Sequence, residues 1–253
     1  MSTNLYSLKN KVVLITGASS GIGLAIAKEF MSSGAKLLLL DRDTKPLSDL
    51  REKNPRRICT VVTQVQERDQ CFAAVQLALE QFDGIDVLIN SAGVNTRMLP
   101  EEYEQSTWDQ IIDINLGGTF NMCQAVFHTM KDRGGGKIIN IGSILSLVSN
   151  AYTAPYSASK GGVLQLTKSL ACAWAKDSIN VNAILPGWID TPLSRQARED
   201  IPGHAERVIE TTPLGRWGVP EDVVGAALFL ATKASDFVTG TSILVDGGVT
   251  AQC

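Results

Sequence analysis

The chain has 253 residues, 44% of them hydrophobic, and 23 Lys and Arg against 26 Asp and Glu leave a formal net charge of −3. A chain of this length buries a large core, while a pI near 5.5 and the lack of any Lys/Arg run beyond two residues argue against a nucleic-acid partner. No apolar run is long enough to span a bilayer and the first eleven residues hold no signal-peptide core, so the expectation is a soluble, cytoplasmic protein without a membrane partner.

Residues 11–16 form an apolar run that suits a strand buried on both faces of a parallel sheet. The following Gly17-Ala18-Ser19-Ser20-Gly21-Ile22-Gly23 leads into a helix over 24–31. Strand, glycine-rich turn and helix in that order make a phosphate cradle. Gly17 turns the chain, Gly21 lets a pyrophosphate approach the backbone, Gly23 permits close packing, and the helix N-terminus offers free N–H groups. A second strand over 36–41 ends in Asp41, roughly twenty residues further on, where a carboxylate accepts hydrogen bonds from adenosine ribose hydroxyls and repels a 2′-phosphate. Ser20 adds no positive charge to the loop. Asp41 and Ser20 together favour NAD(H) over NADP(H), and Arg42 opposes them, because a guanidinium recruits phosphate.

Further strands over 57–62, 86–90, 137–142, 179–185 and 242–246 alternate with helices over 69–81, 107–131, 156–176 and 220–231. Seven short apolar strands alternating with helices imply an α/β fold with a parallel sheet covered on both faces, in a single domain over 1–253. Ligands of such sheets lie off the carboxyl ends of the strands, where Gly17, Asp41, Gly93, Ser143 and Gly187 all fall. The segment 193–213 follows the break at Pro186-Gly187, carries breakers and charges, and reads as a mobile, surface-exposed lid. The five cysteines, Cys59, Cys71, Cys123, Cys172 and Cys253, are scattered, and only His128 and His204 could join them. Neither a disulfide framework nor a metal site is expected.

On the helix over 156–176, Tyr156 and Lys160 stand one turn apart on one face. An ammonium about 5 Å from a phenol, at an effective dielectric of about 20, supplies about 3 kcal/mol toward phenolate, enough to bring an ordinary pKa of about 10 close to neutrality. The pair is a candidate acid/base machine. Taken alone, a half-buried tyrosine beside a solvated lysine fits the same spacing.

Thr16-Gly-Ala-Ser-Ser-Gly-Ile-Gly23, Asn90-Ser-Ala-Gly93, Asn115, Ser143, Tyr156-Ser-Ala-Ser-Lys160, Pro186-Gly187 and the tail through Phe237-Val-Thr-Gly-Thr241 to Val245-Asp-Gly-Gly248 occur in an order and spacing that resemble the short-chain dehydrogenase/reductase family, in its branch of about 250 residues. The resemblance covers residues 8–248. It implies a Rossmann-type, doubly wound three-layer sandwich with a seven-stranded parallel sheet, and hydride transfer between a nicotinamide cofactor and a secondary alcohol or ketone. It implies Tyr156 as general acid/base and Lys160 as the group that lowers its pKa and holds the nicotinamide ribose. Ser143 would donate to the substrate oxygen, and Asn115 would hold a water relaying protons from Lys160. As plain structural residues, Ser143 would cap the next loop, Asn115 would bond backbone, and Thr191 would cap a helix over 192–200.

The implied cofactor contacts are Gly17, Ser19, Ser20, Gly21, Ile22 and Gly23 in the glycine turn, Asp41 and Arg42 after the second strand, Gln64 and Val65 after the third, and Asn90, Ala92 and Gly93 after the fourth. Tyr156, Lys160, Pro186, Gly187, Ile189 and Thr191 complete the set, with Thr191 on the carboxamide. Two residues depart from the family pattern. Ser91 stands where Asn is frequent, and Gln64 precedes Val65 where Asp is usual, so the adenine amino group meets a weaker acceptor. Leu170-Ala-Cys-Ala-Trp174 and Gly187-Trp-Ile-Asp-Thr-Pro192 are similar to segments of members acting on sugars, polyols or sugar acids. The alternatives are 3-oxoacyl thioesters on acyl carrier protein, whose reductases commonly have Arg where Cys172 stands, and other hydroxy substrates such as hydroxysteroids. A non-catalytic dinucleotide sensor would have no use for Tyr156, Lys160, Ser143 and Asn115 together. The family further implies a homotetramer, with the helices over 107–131 and 156–176 and the last strand at its interfaces.

Overall fold

The computed structural model of the protein describes residues 4–200 and 203–252. Seven parallel strands, β1 (Val12–Thr16), β2 (Lys36–Asp41), β3 (Ile58–Val62), β4 (Val87–Asn90), β5 (Gly136–Ile141), β6 (Ile179–Pro186) and β7 (Ser242–Val245), form one sheet in the order β3-β2-β1-β4-β5-β6-β7. The helices are α1 (Gly21–Ser32), α2 (Ser48–Lys53), α3 (Arg68–Phe82), α4 (Gln105–Ile112), α5 (Gly118–Asp132), α6 (Ala154–Trp174), α7 (Pro192–Asp200), α8 (His204–Thr211) and α9 (Pro220–Ala231).

The alternating direction of side chains along a strand divides the core into two. Val13, Ile15, Leu37 and Leu39 pack beneath α1 and α9, whereas Leu14, Leu38 and Leu40 pack beneath α3, α5 and α6. Because both faces are covered, β1 and β2 read as continuous apolar runs rather than alternating ones. Each fully buried leucine of β2 contributes about 1.5–3 kcal/mol. β1 pairs with β2 on one side and β4 on the other, Val13 lying opposite both Leu37 and Val87. The strand order reverses at that point, and the reversal opens a crevice at the carboxyl ends.

Three segments refine the sequence reading. The helix over 107–131 is two helices joined by a π-helical turn at Asp113–Gly117, the kind of widened turn that aims a side chain; here it aims Asn115. The short helix α2 follows a turn opened by Pro46 and had no counterpart among the expected elements. The segment 193–213, expected as a mobile, surface-exposed lid, holds α8 and all but the first residue of α7, which falls on the helix over 192–200 that Thr191 would cap. Pro192 begins α7, and Gly203, at φ +73°, caps the start of α8. Residues 201–202 of the expected lid lie outside the described residues. No helix among the described residues is long and apolar enough to cross a membrane.

Candidate active site

A cleft of about 570 Å³ runs along the carboxyl ends of the central strands. Its floor begins at the turn after β1. Gly17 has φ +63°, and a Cβ there would stand 2.8 Å from the Cα and N of Ala92, so conformation and space both demand glycine. The two loops are joined directly, because Thr16 Oγ1 accepts hydrogen bonds from the amides of Ser91 and Ala92, each at 3.1 Å. Gly23 packs on the Gly17 carbonyl, which any side chain would overlap. Ser20 precedes α1 without a side-chain cap on its first turn, which leaves amide donors for an anion.

At the end of β2, Asp41 Oδ2 accepts from the Ser19 amide at 3.0 Å and the Ser19 hydroxyl at 2.7 Å. The carboxylate is thereby fixed against the glycine turn, with exposed Arg42 beside it. After β3, Gln64, Val65 and Thr63 line the same end of the cleft. Gln64 Oε1 already accepts from Gln66 Nε2 at 3.1 Å, whereas the buried Thr63 Oγ1 has no protein partner. A glycine-lined approach, uncapped helix amides, an anchored carboxylate and an orphaned hydroxyl in one cleft fit an extended, anionic, nucleotide-like ligand.

Tyr156 and Lys160 project from the first turns of α6. Ser143, at the end of β5, lies within hydrogen-bonding reach of the Tyr156 phenol, and its oxygen also accepts from the Leu145 amide at 3.1 Å. Lys160 is only 5% exposed; its Nζ donates to the Ile141 carbonyl at 2.7 Å and stands 5.7 Å from the centre of the Tyr156 ring. Burial lowers the Lys160 ammonium from 10.5 to about 8. Burial also raises the Tyr156 phenol above its usual value, opposed by the Ser143 hydrogen bond and the Arg97 charge. The downward shift expected from Lys160 is therefore absent here. The ammonium is engaged by a main-chain carbonyl, and enclosure disfavours both charged forms.

Gly17, Ser19, Ser20, Gly21, Ile22, Asp41, Arg42, Gln64, Val65, Ala92, Gly93, Ser143, Tyr156, Lys160, Pro186, Gly187, Ile189 and Thr191 all line the cleft. Gly23, Asn90 and Asn115 do not. Asn90 is buried in the sheet, where its amide donates to Asn140 Oδ1 at 2.9 Å and Asn140 in turn donates to Thr167 Oγ1. Asn115 Oδ1 accepts from the Val94 amide at 2.8 Å while its Nδ2 donates to the Val94 carbonyl and to Ser159 Oγ. Its side chain ties the β4 exit loop to α6. A water on Asn115 would fall to its main-chain oxygen, which already accepts from Thr119. Thr191 lines the cleft and also accepts from the Ser194 amide at the start of α7, the contact expected of a helix cap.

Sequence reasoning passed over Thr63, Asn95, Arg97 and Ser194, which also line the cleft, as does Trp188, read from the sequence only as part of the segment similar to sugar-acting members. Arg97 acts on the Tyr156 phenol from the loop after Gly93. A charged residue in a strand-end loop was the only signal available for it.

A family model described as enoyl-(acyl carrier protein) reductase, of the short-chain dehydrogenase type, matches residues 17–250. The chain is 37% identical over 250 residues to the gluconate 5-dehydrogenase of Gluconobacter oxydans, covering 98% of this chain and 97% of that one. It is 38% identical over 246 residues to the 3-oxoacyl-(acyl-carrier-protein) reductase of Thermotoga maritima, covering 96% and 98%. Among solved structures, a gluconate 5-dehydrogenase from Burkholderia cenocepacia in complex with NADP and tartrate superposes with a TM-score of 0.93 at 37% identity, covering 99% of each chain.

Proposed function

The chain belongs to the short-chain dehydrogenase/reductase family, and within it we propose an NAD(H)-dependent oxidoreductase interconverting a secondary alcohol of a sugar, polyol or sugar acid and its ketone. One observation carries this reading: Ser143 and the Tyr156 phenol meet at the cleft, with the Lys160 ammonium anchored on Ile141 one turn behind.

A bound nicotinamide cofactor supplies the acceptor for hydride in oxidation and the donor in reduction. The glycine turn from Gly17 to Gly23 would hold its pyrophosphate, Asp41 its adenosine ribose, and Thr63, Gln64 and Val65 its adenine. Lys160 and Tyr156 would meet the nicotinamide ribose, with Pro186, Gly187, Ile189 and Thr191 on the carboxamide side. Tyr156 takes the carbinol proton in oxidation and returns it to the carbonyl oxygen in reduction. Ser143 donates a hydrogen bond to that same oxygen and holds it beside the phenol. Asn115 acts as a positioning residue, clamping Val94 to Ser159 so that the loop bearing Gly93 keeps its place against Lys160.

The cofactor preference rests on Asp41, whose charge is fixed by Ser19 where a 2′-phosphate would meet repulsion. The Burkholderia relative was solved with NADP, so the two cofactors are to be compared directly; an NADP preference overturns this part. For the substrate, the gluconate dehydrogenase relatives and the guanidinium acting on the phenol support a sugar acid. Identity to the Thermotoga carrier-protein reductase supports a second reading, reduction of 3-oxoacyl thioesters. Absorbance at 340 nm with gluconate, polyols and acyl thioesters separates the two, and no turnover with any alcohol or ketone overturns both. A cytoplasmic homotetramer completes the proposal, supported by exposed Trp108 and Phe120 on α4 and α5 and Leu244 on β7. Sedimentation as a monomer refutes it.

A further inference from the structure

The loop that leaves β4 is fastened at both ends, and its second fastening lies outside the cleft. At its start the Asn115 side chain brackets Val94, accepting from its amide and donating to its carbonyl. Beyond that point Asn95 and Arg97 line the cleft. A single turn at Pro100–Glu102, where the Glu102 carboxylate accepts from the Leu99 amide at 3.3 Å, then sends the chain back, so that Tyr103 meets Thr96. The Tyr103 hydroxyl shares its one proton between the Thr96 carbonyl at 2.5 Å and the Tyr152 carbonyl at 3.0 Å.

Tyr152 belongs to the facing loop between β5 and α6, and its carbonyl also accepts from the Met98 amide at 3.1 Å. Asn150 holds that carbonyl in place, because its Oδ1 accepts from the Tyr152 amide at 2.9 Å and from the Thr153 hydroxyl at 3.0 Å. The consequence falls on Arg97. The planar peptide before it carries the Thr96 carbonyl and the one after it carries the Met98 amide, so ties on both restrict its backbone dihedrals. Residues 91–99 form neither helix nor strand, and the direction of the Arg97 side chain depends on such ties. Tyr152 is followed directly by Thr153, which precedes the first turn of α6, where Tyr156 stands. The guanidinium is therefore based on the same short segment as the phenol on which its charge acts.

We propose that Tyr103 is a positioning residue, whose hydroxyl clasps the β4 exit loop to the entry of α6 and so holds the Arg97 guanidinium at the reacting end of the cleft. The inference rests on the dehydrogenase reading above and extends its machinery to a side chain outside the cleft lining. A guanidinium on a fixed backbone has less freedom to lose when substrate binds, and the clasp contributes in that way, through orientation rather than contact.

Y103F keeps the ring and removes only the hydroxyl. A double-mutant cycle with R97Q in the full-length protein, assayed with gluconate and NAD, separates positioning from plain stability. Y103F should lower kcat/KM for gluconate about three- to tenfold, with the KM for NAD unchanged within about twofold, because the glycine turn and Asp41 lie at the other end of the cleft. In the R97Q background the same substitution should change kcat/KM by no more than about twofold, since the group it positions is gone. Equal factors in the two backgrounds, or a loss confined to the KM for NAD, overturn the proposal. Hydrogen exchange reads the clasp without turnover. Amides 96–98 should exchange about three- to tenfold faster in Y103F, with those of β1 and β4 unchanged. That result supports the clasp even if gluconate is not oxidised, and it is then the dehydrogenase reading that fails. Exchange unchanged at 96–98 refutes the clasp even if oxidation proceeds.

Discussion

Replacement of Lys160 by methionine separates the energetic load of the site from its chemistry. In the folded protein burial brings the Lys160 ammonium from 10.5 down to about 8, a difference worth on the order of 3 kcal/mol. The unfolded chain holds its proton up to the ordinary value. Below pH 8 both states are protonated and the folded protein carries the whole desolvation cost. Between about 8 and 10.5 the unfolded chain binds more protons, so stability rises with pH, and above that range the full gain is present. Methionine matches the aliphatic stem without the charge, but leaves the Ile141 carbonyl, now paired at 2.7 Å, without its donor, at a cost of about 1–3 kcal/mol. The two effects nearly offset each other at neutral pH. Urea unfolding of wild type and Lys160→Met should then give similar stabilities at pH 7, with wild type gaining about 2 kcal/mol over the variant by about pH 9.5. A difference that stays flat across this range would refute the reasoning, because it would mean the ammonium is not desolvated. Activity should fall in both the KM for cofactor and kcat, since the proposed role of Lys160 touches both.

Tyr156→Phe should lower kcat by about a hundredfold or more; retained turnover would remove Tyr156 from the proton step. Because burial raises its phenol above 10.0, ultraviolet titration of the cofactor-free protein should reveal no tyrosinate below pH 10 that Tyr156→Phe removes, and a neutral-pH tyrosinate assignable to Tyr156 would contradict the geometry. Asp41→Asn should raise kcat/KM for NADP relative to NAD by about tenfold, through loss of a repulsion of order 1–2 kcal/mol, and an unchanged ratio would mean that Asp41 does not read the ribose. Gly17→Ala sets a Cβ 2.8 Å from the Ala92 backbone at φ +63° and should cost at least about 2 kcal/mol. Gly134→Ala at φ +83° in open space should cost only the left-handed penalty of about 1 kcal/mol, and thermal melts compare the two.

Much of this protein was legible from local pattern. The apolar runs that became β1 to β7, the glycine turn, Asp41 at a strand end and the Tyr156–Lys160 spacing all express rules that act within a few residues: side-chain period, glycine conformation, one helical turn. Local rules also marked the carboxyl-end cleft, since strand order in a covered parallel sheet leaves few other places for a ligand. They were silent where a contact joins distant segments. Asn115 carries no local sign that its side chain will hold Val94 and Ser159, nor does the run from Thr107 to Lys131 announce the π-helical turn that allows it. The direction of the Tyr156 shift likewise depends on what encloses the phenol, and spacing along a helix supplies the charge but not the burial. Tyr103 from the β4 loop and Tyr152 before α6 meet only once the sheet has brought their loops to one edge. Spacing along the chain could place the Tyr156–Lys160 pair; the enclosure that sets its pKa is a matter of distances through space, and only the packed fold decides those.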